Sequence, residues 1–374
     1  MFESLVTSMP LSVCGILSLQ LMMNLSLGRR FDTAQAWLLA WAVTAALLYG
    51  CHFVYFHRLL AAIPFTDTLY CLCNLMVYPL FLVYVSQLTE RNPLSRRPRL
   101  LLSALGVILL PIIAIGTLYI YMPSTETAHF IDNYLYRNDA SSLSGMALWQ
   151  AWLHNFCKVA FAAEVIGVVL LSSRKIRSYN QLVEQLYADT DDKTLHTLHT
   201  LLLLIIVCSA LSFVANALGR YYFTSSLWLL SVPSVLFSVV LFGIGWAGLN
   251  QQFSICDIKP EESGVQKESA ASDTLMELHQ RLLRVMDEQQ PFLQPDLKLD
   301  DLALMLHTNR TYLLRVMRQE LHMSFSEYIN RRRIAYACQL MNEHPELNKQ
   351  DIAQRSGYLS SSSFYRNFKA YAPA

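Results

Sequence analysis

DLALML (301–306), followed by RTYLLRVMR (310–318), is repeated later in the chain as DIAQRSGY (351–358) followed by SSFYRNFK (362–369). The first halves of the two copies correspond at an offset of 50 residues and the second halves at an offset of 51. A turn between two helices can absorb this slip of one residue. Each copy is therefore predicted to be a short helix, a turn and a second helix, which is the helix-turn-helix layout.

The second helix of each copy has an apolar side and a basic side, because residues turn by about 100° per position along a helix. The apolar sets are Leu313, Val316 and Met317 in the first copy, and Phe364 and Phe368 in the second. The opposite sets are Thr311, Arg315 and Arg318, and Ser362, Arg366 and Lys369. Such a helix suits the major groove, where arginine bonds to guanine. The alternative is an ordinary solvated face, which two copies in register disfavour.

The stretches LALMLHTNRTYLLRVMRQELHMSFSEYINRRRIAYACQLM (302–341) and IAQRSGYLSSSSFYRNFK (352–369) resemble the DNA-binding domain of AraC-type transcription regulators. The resemblance implies two helix-turn-helix units joined by a long helix, here from Ser324 to about Asn342. It also implies that both second helices enter successive segments of the major groove of double-stranded DNA. Gly357 stands where the family keeps a glycine in the turn.

The resemblance also assigns roles to individual residues. Contacts to bases or backbone are expected from Asn309, Arg310, Thr311 and Arg315 in the first unit, and from Ser361, Ser362, Tyr365 and Arg366 in the second. Arg331 and Arg332 are candidates for phosphate contacts, with a solvated basic face as the alternative. Arg333 is expected to have a structural partner. The family usually continues beyond Phe368 and Lys369 with a closing helix. We expect that helix to be missing here and the domain to be less stable.

The composition indicates a membrane protein, because 53% of the 374 residues are hydrophobic and only 15% are charged. Seven apolar runs before Asn250 are long enough for a bilayer core, which needs about 20 residues per helix. They are 5–27, 34–56, 62–88, 100–122, 147–172, 198–218 and 227–249. The predicted fold is all-α: a seven-helix transmembrane domain (1–250), a linker with an amphipathic helix (251–296) and the DNA-binding domain (297–374).

Charge predicts the orientation and the location. One set of connections between the runs holds ten cations: Arg29, Arg30, Arg91, Arg96, Arg97, Arg99, Arg174, Lys175, Arg177 and Lys193. The other set holds three: Arg58, Arg137 and Arg220. The first set is therefore predicted to be cytoplasmic, with the N-terminus outside and no signal peptide. Seven crossings then place the DNA-binding domain in the cytoplasm, as expected of a multi-pass protein of a bacterial inner membrane.

His154 and Lys158 are four residues apart and so share a face of the fifth predicted span. Ionisable groups at membrane depth are costly and usually functional. One hypothesis is that they face an outward-opening cavity that binds an anionic or polar ligand. The alternatives are that Lys158 pairs with Glu164 or another helix, or that it extends toward the membrane surface. The longest outward connection, 123–146, is polar and too short for a separate sensor domain.

The linker helix, 272–289, has Leu275, Leu278, Leu282 and Val285 at heptad-like spacing. It pairs two protomers in a homodimer, or it packs on its own DNA-binding domain. The preceding segment, 257–273, is polar and acidic and is predicted to be a flexible tether.

The sequence contains no recognisable enzyme motif. His196 and His199 have no carboxylate at ligand spacing, and most of the eight cysteines lie in apolar runs. No cofactor, metal site or structural disulfide is expected. The sequence favours a membrane-embedded one-component transcription regulator, whose signal is a small molecule or a membrane partner. The other hypothesis is a transporter-like membrane receptor with an accessory domain that docks it near DNA.

Overall fold

The structure is a computed structural model that describes residues 2–27, 33–191, 193–204, 209–210, 227–251, 253–258 and 272–372. In these ranges the secondary structure is helical, apart from one isolated bridge between Tyr187 and Lys298. The all-α prediction is therefore confirmed for the described residues. The chain divides into two compact units: Met1–Ile176 with His196–Ile255, and Arg177–Leu195 with Cys256–Ala374.

The first unit consists of long apolar helices. They are α1 (Phe2–Ser26), α2 (Thr33–Phe56), α3 (Ile63–Thr89), α4 (Pro98–Tyr121), the short α5 (Ser124–Phe130), α6 (Gly145–Leu186) and α7 (Leu227–Asn250). Residues of α6 from Arg177 onward belong to the second unit. Short 3-10 turns at Leu60–Ala62 and Leu94–Arg96 precede α3 and α4. Helix α2 packs on both α1 and α3, and α1 also packs on α7.

Six helical segments in the described ranges have the length and apolar composition needed to cross a membrane. They are Ser4–Ser26, Thr33–Phe56, Leu60–Thr89, Pro98–Tyr121, Gly145–Leu186 and Trp228–Asp257. They correspond to six of the seven predicted spans. The remaining one, 198–218, lies largely outside the described residues. Large apolar side chains on these helices face outward, as Ile120 and Trp228 do at 79% and 81% exposure, which suits contact with lipid.

Helix α6 is longer than the fifth predicted span, which was placed at 147–172. The sequence after Ser172 turns polar, but Tyr179, Val183 and Leu186 keep an apolar spacing of four and three residues. All three side chains are buried. The helix therefore continues past the apolar run, because burial of one side supports it there.

The connection 123–146, predicted to be a polar loop, is helical and packed. Helix α5 leads into a π-helical turn at Ile131–Tyr136. Phe130, Tyr134 and Tyr136 are each at most 3% exposed and lie in a core with Tyr55 of α2. The tyrosines that look polar in sequence thus bury their rings, while Tyr136 Oη donates to the Tyr55 carbonyl at 2.8 Å.

The second unit contains α8 (Ser272–Glu288), α9 (Leu299–Met305), α10 (Arg310–Gln319), α11 (Phe325–Glu343), α12 (Lys349–Arg355) and α13 (Ser361–Tyr371). Four of these helices begin at a residue whose side chain accepts a backbone N–H of the first turn. These caps are Asn309, Ser324, Asn348 and Ser360. Such residues are strong N-terminal signals, so the sequence encodes these helix starts locally.

Helix α8 confirms the predicted helix at 272–289. Leu275, Leu278, Leu282 and Val285 are buried. The helix packs on α10, and Arg281 donates to the Leu306 carbonyl at 2.9 Å, at the end of α9. The apolar spacing of α8 allowed two interpretations. In the structure, α8 packs on its own domain. Most of the segment predicted as a tether lies outside the described residues.

Candidate nucleic-acid interface

Helices α9 and α10 form the first pair, as the repeat predicted. Leu302 and Leu306 of the first half and Leu313 and Val316 of the second are fully buried. The turn between them passes through His307, whose φ is +51°. The predicted apolar stripe therefore holds α10 on its partner helix, and the polar side of α10 remains on the surface of the unit.

The residues assigned to the first pair differ in their surroundings. Asn309, Thr311 and Arg318 are exposed, whereas Arg310 and Arg315 are half-buried. Asn309 accepts the Tyr312 N–H at 3.0 Å and so caps α10. Arg310 forms an ion pair with Asp300, with 3.1 Å between the nitrogen and the oxygen. The guanidinium of Arg315 lies over the ring of Tyr312, 5.8 Å from the ring centre.

Helices α12 and α13 form the second pair. Ile352, Ala353, Tyr358 and Phe364 are buried together with residues of α11. On the other side of α13 every residue assigned to DNA contact is exposed: Ser361, Ser362, Tyr365, Arg366 and Lys369. The second copy thus presents the hydroxyls and cations that the sequence pattern predicted.

Gly357 confirms the predicted turn glycine, because its φ is +84°. A Cβ at this position would lie 2.8 Å from the carbonyl oxygen of Leu293 and 2.9 Å from that of Phe292. These are backbone atoms that a side chain cannot push aside. The turn between α12 and α13 therefore requires glycine both for its backbone angles and for close approach to the segment 291–293.

Arg333 lies at the centre of the unit and is 1% exposed. Its guanidinium donates to the carbonyls of Phe292, Gln294 and Pro295 at 2.6, 2.6 and 3.1 Å. Burial is the main cause that lowers the pKa of Arg333, and burial also raises the pKa of Tyr358, whose ring lies against the guanidinium. The predicted structural role of Arg333 is confirmed, since it fixes the segment between α8 and α9.

Arg331 and Arg332, the candidates for phosphate contacts, both have partners within the unit. Arg331 donates to Glu327 at 2.8 Å, one turn earlier in α11. Arg332 donates to Asp287 of α8 at 2.7 Å. These pairs leave both cations at the surface, where a phosphate group can still approach them.

His154 and Lys158 in the first unit lie within a network of polar side chains. His154 Nε2 and Asp67 of α3 are 2.7 Å apart, and the same carboxylate accepts hydrogen bonds from Tyr55 and Tyr119. Lys158 donates to Asn138 at 2.9 Å, and its ammonium lies 4.8 Å from the centre of the Tyr134 ring. The network thus joins α2, α3, α4 and α6 with the packed connection between α4 and α6.

In the sequence Asp67 only interrupts the apolar run 62–88. Its carboxylate, the Cys71 thiol and the His154 ring present three possible metal ligands within 4.8 Å of one another. The carboxylate already accepts hydrogen bonds from two tyrosines, so a metal ion would have to displace protein partners. Asp67 and His154 are 87 residues apart. Local spacing therefore gave no sign that they meet.

Comparison with known proteins gives matches to the C-terminal part of the chain. Residues 302–372 match the family described as a helix-turn-helix domain. A stretch of 76 residues is 36% identical to the uncharacterized HTH-type transcriptional regulator YtdP of Bacillus subtilis (strain 168). The match covers 20% of this chain and 10% of that relative. No solved structure matches the chain. The C-terminal part of this chain is therefore an AraC-type helix-turn-helix domain.

Proposed function

We propose that this protein is a membrane-embedded one-component transcription regulator that binds specific DNA sequences through two helix-turn-helix units. The observation that carries the proposal is the pair of helices α10 and α13. Each buries its apolar side on the domain and exposes hydroxyls and cations on the other. The family match over 302–372 and the relative's name as a transcriptional regulator support it.

In this proposal the two helices read bases and the linking helix supports the contact. Arg315 and Arg366 are the residues that bond to base edges, because a guanidinium matches the acceptor pair of guanine. Thr311, Ser361 and Ser362 present hydroxyls beside them. Arg331 and Arg332 on α11 add phosphate contacts, which contribute affinity without sequence preference. The net charge of +4 over 297–374 favours a polyanionic partner.

The apolar helices of the first unit anchor the regulator in the lipid bilayer. The distribution of arginine and lysine favours a cytoplasmic location for the C-terminal domain, where it can reach the chromosome. We therefore infer a multi-pass protein of a bacterial inner membrane, with its N-terminus outside. A homodimer through α8 is not part of the proposal, because the residues of the expected seam are buried within the unit.

We place the sensing of the signal in the network around Asp67, His154 and Lys158. Buried ionisable groups at membrane depth are costly to retain without a role. A small anionic or polar molecule, or a membrane partner, would compete with Asn138 and Tyr134 for Lys158. Lys158→Met should then abolish the response of a reporter to the inducing condition while the protein level in the membrane stays the same. A full response in this variant would remove Lys158 from the sensing site.

The experiment that tests the proposed function maps the DNA fragments that the full-length chain occupies in cells. The purified full-length chain in lipid nanodiscs is then titrated with one such fragment and with a scrambled duplex of the same length. Sequence-specific binding predicts a preference for the mapped fragment that persists as salt is raised. Equal affinity for the two duplexes would show that the domain does not read sequence.

A further inference from the structure

Segment 177–195 consists of the C-terminal part of α6, which ends at Leu186, and the connection that follows it, and it belongs to the same compact unit as the DNA-binding domain. We call this helix end and connection together the loop; its two ends are tied together. Tyr179 Oη donates to the Lys193 carbonyl at 3.0 Å, and the Leu195 N–H donates to Asn180 Oδ1 at 2.8 Å. The loop therefore has a defined shape that it can present to a partner surface.

The loop is seated on the DNA-binding domain through buried backbone contacts. Ala188 is 1% exposed, and its carbonyl accepts hydrogen bonds from Ser326 and Asn330 of α11 at 3.1 and 3.0 Å. Its N–H donates to the Leu297 carbonyl at 3.2 Å, beside the bridge between Tyr187 and Lys298. Both backbone polar groups of the buried Ala188 are therefore paired with the DNA-binding domain. Burial without these bonds would leave them unpaired, so the contact is a specific one.

From this position the loop reaches both helices that are proposed to read DNA. Gln185 accepts a hydrogen bond from Arg318 of α10 at 2.8 Å. Asp191 forms an ion pair with Arg366 of α13 and accepts a hydrogen bond from Ser363 of the same helix. A carboxylate that accepts from a hydroxyl and pairs with a guanidinium makes the contacts that a DNA phosphate would make there.

We propose that segment 177–195 is an intramolecular occupant of the DNA-contacting surface, so that the loop and DNA compete for Arg318 and Arg366. The proposal rests on the proposed function, because it takes α10 and α13 as the reading helices. It goes further in naming the element that regulates them. Both ends of the loop lead directly into apolar membrane segments, so a rearrangement of those segments is the signal that withdraws it.

The strength of the contact suits a competitor that DNA can displace. The side chain of Arg366 remains 58% exposed in its pair with Asp191. The Asp191 side chain is 21% exposed. Because water reaches the pair from the side of the guanidinium, the pair contributes only a modest free energy. The loop therefore lowers the apparent affinity for DNA by reducing the fraction of molecules that are open, without blocking the surface permanently.

The test uses the full-length chain in lipid nanodiscs and a fluorescent duplex taken from the fragments that the chain occupies in cells. Asp191→Asn removes the charge that pairs with Arg366, and Gln185→Ala removes the oxygen that accepts from Arg318; neither substitution changes a reading helix. Each substitution should tighten binding by about two- to fivefold, the range of an exposed ion pair. The double variant should gain more than either substitution alone.

Each contact variant has a matched control. Glu288→Gln removes the same charge from an exposed position of the same unit, and Gln181→Ala changes an exposed glutamine one turn earlier in α6. Both controls should bind as the unchanged chain does. Hydrogen exchange gives a second readout, because saturating duplex should speed exchange of the backbone amides in 185–191 of the unchanged chain.

The outcomes separate this inference from the proposed function. If all contact variants bind the duplex with the affinity of their controls, and the duplex leaves exchange in 185–191 unchanged, the competition does not exist although DNA binding does. If no variant and no control prefers the mapped duplex over a scrambled one, the proposed function fails and the competition fails with it.

Discussion

Arg315 is the residue at which the DNA-binding role of the first helix pair, α9 and α10, can be measured directly. Arg315→Ala should cost about 1–3 kcal/mol in binding to the mapped duplex and relax the base preference at one position, because a bidentate contact to a base would be lost. Titration against duplexes substituted at each position measures both effects. Arg355→Ala is the control, because it removes one cation from an exposed site on α12. A uniform loss in both variants would show that Arg315 supplies only charge.

Arg333 is the residue on which the folding of the second unit depends. Arg333→Met should leave the carbonyl of the buried Phe292 without a donor, at a cost of about 1–3 kcal/mol, whereas the carbonyls of the exposed Gln294 and Pro295 can bond to water instead. Denaturant-dependent proteolysis of the full-length chain, followed at cleavage sites in the second unit, measures the loss. Arg331→Met is the matched control, because Arg331 lies on the same helix with its side chain 55% exposed. Equal stability of the two variants would contradict this role.

Among single residues, the sequence predicted those features that depend on near neighbours or on a family pattern. These features are the turn at Gly357, the structural partner of Arg333 and the exposure of the cations on α13. It did not show that Asp67 meets His154 or that Asp191 meets Arg366, because these pairs are 87 and 175 residues apart. An acidic residue in a polar loop has no local signature of its partner, since the partner is set by tertiary packing.

Helix α8 is the element whose role the sequence left open. Its apolar residues have the spacing of a two-heptad seam, yet Leu282 is fully buried and the helix packs on α10. Periodicity shows that one side of a helix is covered, but it does not identify the covering surface. The starts of α10, α11, α12 and α13 were more readable, because each begins with a capping side chain that acts within its own first turn.

Two substitutions in α8 separate packing within one domain from pairing between chains. Leu282→Ala should lower the free energy of unfolding of the second unit by about 2–5 kcal/mol, as expected for a truncated core leucine. Leu278→Cys should form no rapid disulfide between chains under mild oxidation, because residue 278 is buried within its own domain. Cross-linking on non-reducing gels measures the second effect, with Met276→Cys at an exposed position of the same helix as the control. A fast cross-link at 278 alone would favour the dimer seam.

At the scale of the whole molecule, composition predicted the six apolar helices of membrane-spanning length in the described residues, because an apolar run of bilayer length is a strong and local signal. The ends of these segments were harder to place. Helix α6 continues to Leu186. Beyond the apolar run it is stabilised by side chains that are buried in the second unit. The connection 123–146 packs its tyrosines although its composition is that of a polar loop. Both differences arise where tertiary burial outweighs local polarity.

The exposed thiol of Cys256 can report on which side of the membrane the C-terminal unit lies. If the C-terminal unit is cytoplasmic, a membrane-impermeant maleimide should label Cys256 in permeabilised cells and leave it unlabelled in intact spheroplasts. The expected difference follows from the ten-to-three distribution of cations, because connections rich in arginine and lysine stay on the cytoplasmic side.

Ser142→Cys, introduced into a Cys256→Ser background, is the matched control because Ser142 is exposed in the connection predicted to lie outside. This thiol should react in intact spheroplasts. Mass spectrometry of the labelled peptides distinguishes both sites from Cys338, which lies in the same unit as Cys256. Labelling of Cys256 in intact spheroplasts would place the helix-turn-helix domain on the side without DNA. No arrangement of α10 and α13 could then make the chain a transcription regulator.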